Sequence, residues 1–576
     1  MVVERLKTDV LILGAGGAGL FAALHAFKAN PDLDITIVSK GLLGKCGCTR
    51  MVQGGYNVAI NPGDSVERHF MDTIEGGKWL PHQELAWTLV STAVERVREL
   101  ENEIGCFFDR NPDGTLHGKP FAGQTFDRTV HKGDLTGIEI INRLMEQVWA
   151  RPIRRLEEHR AVALVPATDG SIAGALLIDI RSGEFRFVAA QAVLLATGGG
   201  PTMYRYHTPS GDKSMDGLAM ALRLGLCLRD MEMVQFHPTG LLAGADTRMT
   251  GTVLEEGLRG AGGHLLNSAM HRFMGDYDAK FERATRDVVS RAIAAEIRAG
   301  RATGNGGVYL KMAHLGPAGV KKQFKGMVAR CRDCGFDLAG GLVEVVPTAH
   351  YFMGGVICEV DTATERPGLF VAGEDASGMH GANRLGGNGV ANSTVFGGIA
   401  GDVMPRWIAA NHGHRPPDLD VLDAEVARAV HPFSRKPGDL NALRERLLDT
   451  MWEEVGVVRD RRGIERGIAA IEQIEAELLA NGVPDGSRQF NLTWHDWLNL
   501  RSLCEISRII ALAALKRENS RGAHFRSDFP EPGDLATSTF TVARQTADRI
   551  EISERPVEFT RVRPGETIVR DQIAAE

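Results

Sequence analysis

Apolar and polar positions along the first 200 residues predict an alternation of strands and helices. After a polar lead-in from Met1 to Thr8, Asp9 to Leu13 has the pattern of a buried strand. The glycine-rich turn Gly14 to Gly19 follows it, and an apolar helical run comes next. Ile35 to Val38 has the length of the following strand, and residues 193–200 and 369–374 are two more apolar strands that end in glycine. This order predicts an α/β fold.

The last third of the chain has a helical period instead. Apolar residues recur every three or four positions in two segments, and each stripe would pack one helix face against a core. The stripes are Leu443, Leu447, Met451 and Val455, followed by Leu503, Ile506, Ile510 and Ala513. We therefore expect a helical region after the α/β region.

Composition excludes several classes of protein. The 576 residues include 66 Lys and Arg against 73 Asp and Glu, and the net charge of −7 disfavours a nucleic-acid binder. The 8 cysteines are too few for a disulfide scaffold, and no apolar run is long enough to span a membrane. No signal-peptide pattern precedes the first strand, so we expect a cytoplasmic location. Glycine is in excess, with 67 residues, which is typical of chains that approach a cofactor closely.

The turn after the first strand has the spacing of a dinucleotide-binding loop. Gly14 permits a tight turn, Gly16 lets the backbone approach a pyrophosphate, and Gly19 lets helix and strand pack closely. The helix that follows would direct its N-terminus at the phosphates. The second strand ends in Ser39 and Lys40, where an NAD-dependent dehydrogenase usually carries an acid. A generic NAD dehydrogenase is therefore disfavoured, and Lys40 is either a cofactor ligand or a solvated charge.

Longer motifs point to a family. They are Gln53 to Gly55, Gln235 to Gly240, Arg259 to Gly263, Arg286 to Arg291, Pro347 to Gly355, His380 to Asn388, Met451 to Arg459 and Glu518 to Pro530. In this order they resemble the flavoprotein subunit of succinate dehydrogenase and fumarate reductase, from about Asp9 to Pro564. The resemblance implies a Rossmann-like FAD-binding domain interrupted by an α+β capping domain, then a helical domain and a small C-terminal domain. We expect the FAD-binding domain at 1–240 and 343–405, the cap at 241–342, the helical domain at 406–535 and the C-terminal segment at 536–576.

The resemblance also implies the reaction. In this family a hydride moves between flavin N5 and a carbon of a short dicarboxylate, and a proton moves at the neighbouring carbon. His237, His350 and Arg384 match the substrate-binding positions, and a guanidinium can hold a carboxylate through two hydrogen bonds.

A proton relay is implied in the same way. Arg286 matches the arginine that protonates the substrate carbon. Because an arginine is normally always charged, its proton has to be replaced at once. Glu256 and Arg259 match the relay positions, and their spacing would place them on one face of a helical turn. A purely structural ion pair is the alternative for these two residues.

The implied cofactor is FAD, and no metal site is predicted. The residues that match the family's FAD-binding positions are Gly14, Ala15, Gly16, Gly17, Ala18, Gly19, Ser39, Lys40, Cys48, Thr49, Gln53, Gly54, Gly55, Thr197, Gly198, Asp216, Glu374, Gly389 and Val390. Cys48 stands where membrane-complex members carry the histidine that bonds the flavin. We therefore expect noncovalent FAD and a preference for reduction, with a cysteinyl link as the chemical alternative.

The sequence departs from the family pattern at three further places, and two of them, Glu255 and a longer stretch before Glu256, touch the substrate pocket. Glu255 replaces a threonine that helps to hold a substrate carboxylate, and an ionised glutamate there would repel that carboxylate. We expect a substrate that differs from fumarate at this end, unless Glu255 turns towards Arg259 or solvent. Ala261 replaces an acid, and the stretch before Glu256 is longer than in the relatives. Its loop tip is predicted at Gly244, Ala245, Asp246 and Thr247.

Electrons must reach the flavin from outside the chain. Cys331 and Cys334 form a C-x-x-C pair, which is two ligands short of a zinc or cluster site. We expect an iron–sulfur or other electron-transfer partner, through which the chain could also attach to a membrane. Two other functions stay open: an amino-acid oxidase of the L-aspartate oxidase type, in which Glu255 pairs with the substrate ammonium, and a noncatalytic flavin electron-transfer subunit.

Overall fold

The computed structural model describes residues 2–244, 247, 249–546 and 549–570. Its strands are β1 (Val3–Leu13), β2 (Ile35–Val38), β3 (Tyr56–Asn57), β4 (Gly118–Lys119), β5 (Thr129–Val130), β6 (Arg154–Leu156), β7 (His159–Pro166), β8 (Ile172–Asp179), β9 (Phe185–Leu195), β10 (Leu228–Arg229), β11 (Val234–Leu241), β12 (His264–Leu266), β13 (Val308–Lys311), β14 (Leu342–Phe352), β15 (Gly355–Val356), β16 (Leu369–Val371), β17 (Thr539–Thr546) and β18 (Arg549–Pro556).

The helices alternate with these strands in the first half of the chain and dominate residues 388–516. They are α1 (Gly17–Ala29), α2 (Val66–Gly76), α3 (Gln83–Glu99), α4 (Thr136–Trp149), α5 (Asp216–Arg223), α6 (Gly257–Gly260), α7 (Arg286–Arg298), α8 (Pro317–Gln323), α9 (Lys325–Asp333), α10 (Asn388–Ala410), α11 (Leu419–Val430), α12 (Leu440–Glu454), α13 (Arg461–Ala480) and α14 (Leu492–Lys516). Within the described ranges, no helix has both the length and the apolarity that a membrane span requires.

A seven-stranded sheet lies at the centre of the molecule and confirms the predicted α/β fold. Its order is β6-β2-β1-β9-β8-β7, and β16 also pairs with β9. Strands β6, β2, β1, β9 and β16 are parallel, whereas β8 and β7 are antiparallel. The late strand β16 pairs with β9, with Leu369 opposite Val193. The chain therefore returns to the central sheet after the residues between β9 and β16.

The prediction that Met1 to Thr8 is a lead-in outside the sheet is wrong. β1 begins at Val3, and residues 3–8 pair in parallel with residues 185–190 of β9. The backbone hydrogen bonds of a long neighbouring strand extend β1 beyond its apolar half. Apolar residues therefore mark the buried part of this strand rather than its beginning.

The turn between β1 and α1 has the tight geometry that its glycines predict. Gly14 has a φ of 118°, which favours glycine, and a Cβ atom added there would lie 2.0 Å from the carbonyl oxygen of Ala196. A Cβ atom at Gly19 would lie 1.9 Å from the carbonyl oxygen of Gly14. The two glycines thus bring the first turn of α1 against the carboxyl end of the parallel strands, where ligands bind in such sheets.

A second apolar core spans residues 241–345, slightly beyond 241–342, which is the segment that we propose as the cap. It combines the sheet β11-β14-β13-β12 with the buried faces of α7 and α9. β11 and β14 are antiparallel partners, and each begins or ends outside this core. These two strands therefore connect the cap to the main body.

The helical region and the C-terminal segment pack onto the same body. Both predicted stripes are buried, at Leu443, Leu447, Met451 and Val455 and at Leu503, Ile506, Ile510 and Ala513. β17 and β18 pair with each other, and β17 also pairs with β10, which brings residues after 538 back to the first half of the chain.

Candidate active site

A cavity of about 470 Å³ lies between the carboxyl edge of the central sheet and the cap. Every predicted cofactor-binding residue except Gly19 lines it. Gly19 lies behind the turn against the backbone of Gly14, so its role is packing rather than ligand contact. The cap contributes residues 252, 253, 255 and 256, together with Arg286 and Arg330.

Two helix N-termini face this cavity without a capping side chain. The N-cap residues are Gly16 for α1 and Gly387 for α10, and neither helix has an acidic residue in its first turn. The backbone N–H of Gly17 donates to Thr49 Oγ1 at 3.0 Å. Uncapped N-termini carry partial positive charge and favour an anionic ligand such as a pyrophosphate. The residues present therefore fit a dinucleotide such as FAD.

A partly buried ion cluster occupies the end of β2, where the usual acid is missing. Lys40 Nζ lies 3.0 Å from Asp216 Oδ2, and Arg160 Nη2 lies 2.6 Å from Asp216 Oδ1. Burial lowers the pKa of Lys40 to about 8. Burial opposes ionisation of Asp216, but Arg160 and Lys40 hold its pKa below the usual value. The interpretation of Lys40 as a solvated charge is wrong, because Lys40 pairs with Asp216, an acid from a distant part of the sequence.

Two other predicted cofactor positions have strongly shifted acids. Cys48 opens a short 3₁₀ turn that lines the cavity, and burial raises the pKa of its thiol to about 12. A protonated thiol is a poor nucleophile at neutral pH, which favours the prediction of noncovalent FAD. Glu374 accepts a hydrogen bond from the backbone N–H of Phe352 at 2.8 Å, and burial raises its pKa to about 7.

The two predicted substrate histidines lie on the strands that connect the cap to the body. His237 is on β11 and His350 is on β14, with ring centroids 5.4 Å apart. The backbone N–H of Thr239 donates to His237 Nδ1 at 3.3 Å, so the ring proton is on Nε2, which becomes a donor. Burial, then the charges of nearby arginines, lowers the pKa of both rings well below the ordinary value. Both histidines are therefore neutral, and His237 presents an Nε2–H donor.

The predicted relay residues meet in one buried chain. Arg286 donates to Glu256 Oε2 through Nε at 2.8 Å and through Nη2 at 2.5 Å. Arg259 Nη2 lies 3.3 Å from the other oxygen, Oε1, and its Nη1 donates to the carbonyl oxygen of Glu282. Burial opposes ionisation of Glu256, but the two guanidinium groups hold its pKa below the usual value. Arg259 itself does not line the cavity, so it contacts the reacting region only through Glu256.

Gln235 joins Arg286, the predicted proton donor, to Arg384, the predicted substrate-binding arginine. Its Oε1 accepts from Arg286 Nη1 at 3.1 Å and from Arg384 Nη2 at 3.2 Å, and its Nε2 donates to the carbonyl oxygen of Arg384. Two like charges about 4 Å apart repel each other by about 4 kcal/mol at an effective dielectric constant of roughly 20. The Gln235 oxygen offsets part of such repulsion, because it accepts a hydrogen bond from both guanidinium groups. Burial and the charge of Arg286 lower the pKa of Arg384 to about 10.

Arg384 keeps its charge available for a ligand. It lies over the ring of Tyr351 at 4.3 Å and pairs with no carboxylate of the described residues. Gln235 was not among the predicted site residues, although it is the first residue of a motif that carried the resemblance. Its bridging role needs the positions of two arginines that are distant in sequence.

Glu255 pairs with a different residue from its sequence neighbour Glu256. It is 2 % exposed and lines the cavity, and its Oε1 lies 2.5 Å from Lys119 Nζ. The alternative in which Glu255 turns towards Arg259 or solvent is therefore wrong. Burial raises the pKa of Glu255, although Lys119 acts in the opposite direction. Lys119 belongs to β4, outside the cap, and no motif near it predicts this contact.

Arg330 is a further residue that the sequence did not indicate. It lies on α9, lines the cavity and donates to the carbonyl oxygen of Val253 at 2.9 Å. The Gln53 side chain, oriented with its oxygen towards the cap, accepts from the same guanidinium. Burial lowers the pKa of Arg330. Arg330 thus joins α9 to a loop of the main body.

The other residues that differ from the family pattern do not line the cavity where the structure describes them. Gly244 and Thr247 do not line the cavity, while Ala245 and Asp246 lie outside the described residues, and Ala261 is also off the wall. Cys331 is buried on α9, Cys334 follows this helix, and both are free thiols. In the ranges that the structure describes, no group of three or more His, Cys, Asp or Glu side chains could hold a metal.

Comparisons with known proteins agree along almost the whole chain. A family profile described as an FAD binding domain matches residues 9–390, and one described as the fumarate reductase flavoprotein C-terminus matches residues 444–569. One subunit of the CoM/CoB fumarate reductase of Methanothermobacter marburgensis is 40% identical, over 92% of this chain and 96% of the relative. The Escherichia coli fumarate reductase flavoprotein subunit is 32% identical, over 98% and 96%. A solved mutant of E. coli quinol fumarate reductase superimposes with a TM-score of 0.91 at 32% identity, over 98% and 99% of the two chains.

Proposed function

Because this chain belongs to the succinate dehydrogenase and fumarate reductase flavoprotein family, it is an FAD-dependent oxidoreductase acting on a carbon–carbon bond, and we propose that it reduces a short unsaturated dicarboxylate-like acid. Bound FAD supplies the hydride. The fumarate reductases among the relatives support a fumarate-like substrate. The family and the cofactor agree with the expectation from the sequence motifs.

The substrate carboxylate binds among Arg384, His237 and His350 in this proposal. Arg384 has no carboxylate partner in the described residues, and the neutral histidines can donate hydrogen bonds without adding charge. Arg384 and Arg286 share the Gln235 oxygen, so the carboxylate and the proton donor have a fixed separation. Such preorganisation lowers the cost of orienting the substrate carbon towards the donor.

Arg286 protonates the substrate carbon, and Glu256 returns a proton to it. Both Nε and Nη2 of Arg286 contact one oxygen of Glu256, which gives a direct route for that transfer. Arg259 faces the second oxygen of Glu256 and reloads it. Burial lowers the pKa of Arg259, which makes its proton easier to release than that of an exposed arginine.

The observation that carries the proposal is this chain of contacts from Arg259 through Glu256 to Arg286 at the cavity wall. The test is anaerobic reoxidation of the dithionite-reduced holoprotein by fumarate and its analogues. We expect the oxidised flavin spectrum to return with formation of the saturated acid. Failure of every unsaturated acid to reoxidise the flavin would overturn the proposal.

We propose a separate electron-transfer protein as the electron donor. The M. marburgensis and E. coli relatives are named as subunits, which supports assembly with a partner such as an iron–sulfur protein. The isolated chain should accept electrons from small reduced viologens. Rapid direct oxidation of NADH by the pure protein would contradict this proposal.

An amino-acid oxidase activity is disfavoured by one contact. That alternative needs Glu255 to pair with a substrate ammonium, yet Lys119 already supplies an ammonium at 2.5 Å. Lys119 neutralises the charge of Glu255, so the pair lacks the net negative charge that would favour a substrate ammonium. Bleaching of the oxidised flavin by L-aspartate would reverse this conclusion.

A further inference from the structure

Glu255 and Lys119 form an ion pair between two parts of the fold. Lys119 lies on β4 of the main body, and Glu255 immediately precedes the relay residue Glu256 in the cap. Lys119 Nζ also donates to the carbonyl oxygen of Gly133 at 2.7 Å, which fixes the ammonium on the outer side of the pair. The Lys119 side chain is 17% exposed, whereas that of Glu255 is 2% exposed. The carboxylate is therefore the inner member of the pair.

Only one oxygen of Glu255 is occupied. Lys119 bonds to Oε1, and no described residue donates a hydrogen bond to Oε2. Glu255 lines the cavity, whereas Lys119 does not. A carboxylate oxygen is an acceptor, and this one is accessible from the cavity rather than enclosed by protein atoms. A ligand in the cavity that donates a hydrogen bond would satisfy it.

The two sides of the cavity therefore favour different chemical groups. Arg286 and Arg384 present guanidinium donors, which favour a carboxylate. Near Glu255, the charges of Lys119 and Glu255 cancel. Arg330 also lines the cavity there, but its guanidinium donates to the carbonyl oxygen of Val253 and to Gln53, so the free oxygen of Glu255 is left as an acceptor. A second ionised carboxylate placed there would meet Glu255 without any donor from Lys119.

We propose that Lys119 and Glu255 are a specificity-determining pair that accepts an uncharged hydrogen-bond donor of the substrate, such as an amide, a hydroxyl or an undissociated carboxyl group. The preferred substrate is then an unsaturated acid with one carboxylate at the arginine side and such a donor at the other end. This inference rests on the proposed function, because it assumes that the substrate lies in this cavity.

The test compares fumarate with its monoamide in wild type, Glu255→Gln and Lys119→Met. Dissociation constants come from the perturbation of the flavin absorption of the oxidised holoprotein, and kcat/KM comes from viologen-driven reduction. We expect wild type to favour the monoamide by about tenfold or more. Glu255→Gln adds an N–H donor at this position. Lys119→Met leaves a buried Glu255 without its cation, so that Glu255 becomes protonated and can also donate. Both variants should therefore shift the preference between fumarate and its monoamide towards fumarate.

Lys132→Met is the matched control, since Lys132 makes a more exposed ion pair with Asp109 in a neighbouring loop. It should leave the ratio of dissociation constants unchanged. If Glu255→Gln and Lys119→Met bind FAD but leave the ratio at the wild-type value, the pair is only structural and the inference fails. If the ratio of dissociation constants shifts but neither acid is reduced, the inference stands and the proposed function fails.

Discussion

Glu255 and Glu256 are adjacent in the sequence and both line the cavity, yet they pair with different parts of the molecule. Glu256 pairs with arginines, which defines the arginine side, and Glu255 pairs with Lys119, which defines the lysine side. Glu256 contacts Arg286 and Arg259, all within the cap, and the exposed fraction of these three residues is 7 % or less. Glu255 crosses to Lys119 of the main body, where the lysine side chain is partly exposed. The arginine side is a buried network for which we propose proton transfer, whereas the lysine side is a neutral contact whose lysine is partly exposed. Partner residues, more than residue type, decide what each glutamate does.

The arginine side should be the more sensitive of the two, and Arg286→Lys tests it most severely. Lysine keeps the positive charge but loses the planar group that contacts Glu256 and Gln235 together. We expect turnover to fall by roughly a thousandfold or more while FAD stays bound, since proton transfer and charge positioning are both lost. Arg291→Lys on the same helix is the control, because Arg291 contacts Asp287 and Gly522 instead. A fully active Arg286→Lys variant would remove Arg286 from the proton step.

Gln235 should rank second, because it joins the two arginines without contacting the relay carboxylate. Gln235→Glu puts a charge between Arg286 and Arg384, which stabilises the protonated form of Arg286 and makes it a weaker acid. We expect kcat to fall by roughly a hundredfold, with a shifted pH profile, and Gln235→Met to raise KM as Arg384 loses its acceptor. Equal small losses in both variants, with an unchanged pH profile, would mean that Gln235 only fills space.

The lysine side should respond in the opposite direction. Glu255→Thr removes the acceptor and restores a hydroxyl that can donate to a carboxylate, so we expect kcat/KM for fumarate to rise by about tenfold. Steady-state kinetics with fumarate and its monoamide provide the measurement. If wild type already reduces fumarate with high efficiency and the replacement changes nothing, the contrast between the two sides is wrong.

The smallest effect is expected at Cys48, which belongs neither to the arginine network nor to the Lys119–Glu255 pair. Acid precipitation should release all FAD into the supernatant, and Cys48→Ser should leave the flavin content unchanged, because the thiol is protonated at neutral pH. Absorption spectra of supernatant and pellet decide this. Yellow colour that stays with the pellet, and that Cys48→Ser abolishes, would establish a cysteinyl link instead.

The sequence predicted those parts of the molecule that short motifs specify. Strand β2 has the expected bounds, and the glycine turn after β1 has the expected geometry. The start of β1 at Val3 was missed because its pairing partner lies in β9, far along the chain. Lys119 and Arg330 were missed for the same reason, since nothing near either residue indicates a contact across the cap. Contacts between residues that are distant in the sequence decide these features, and no short motif in the sequence encodes such contacts.

The central claim is that buried Arg286, reloaded through Glu256, protonates an unsaturated acid held beside FAD. Single-turnover reoxidation of the reduced holoprotein by fumarate or its monoamide tests it most directly, with wild type, Arg286→Lys and Arg291→Lys side by side. The account predicts rapid return of the oxidised flavin spectrum in wild type and Arg291→Lys, with the saturated acid in equal amount to the flavin. Arg286→Lys should keep its FAD and remain reduced. Reoxidation of Arg286→Lys at the wild-type rate would contradict the account.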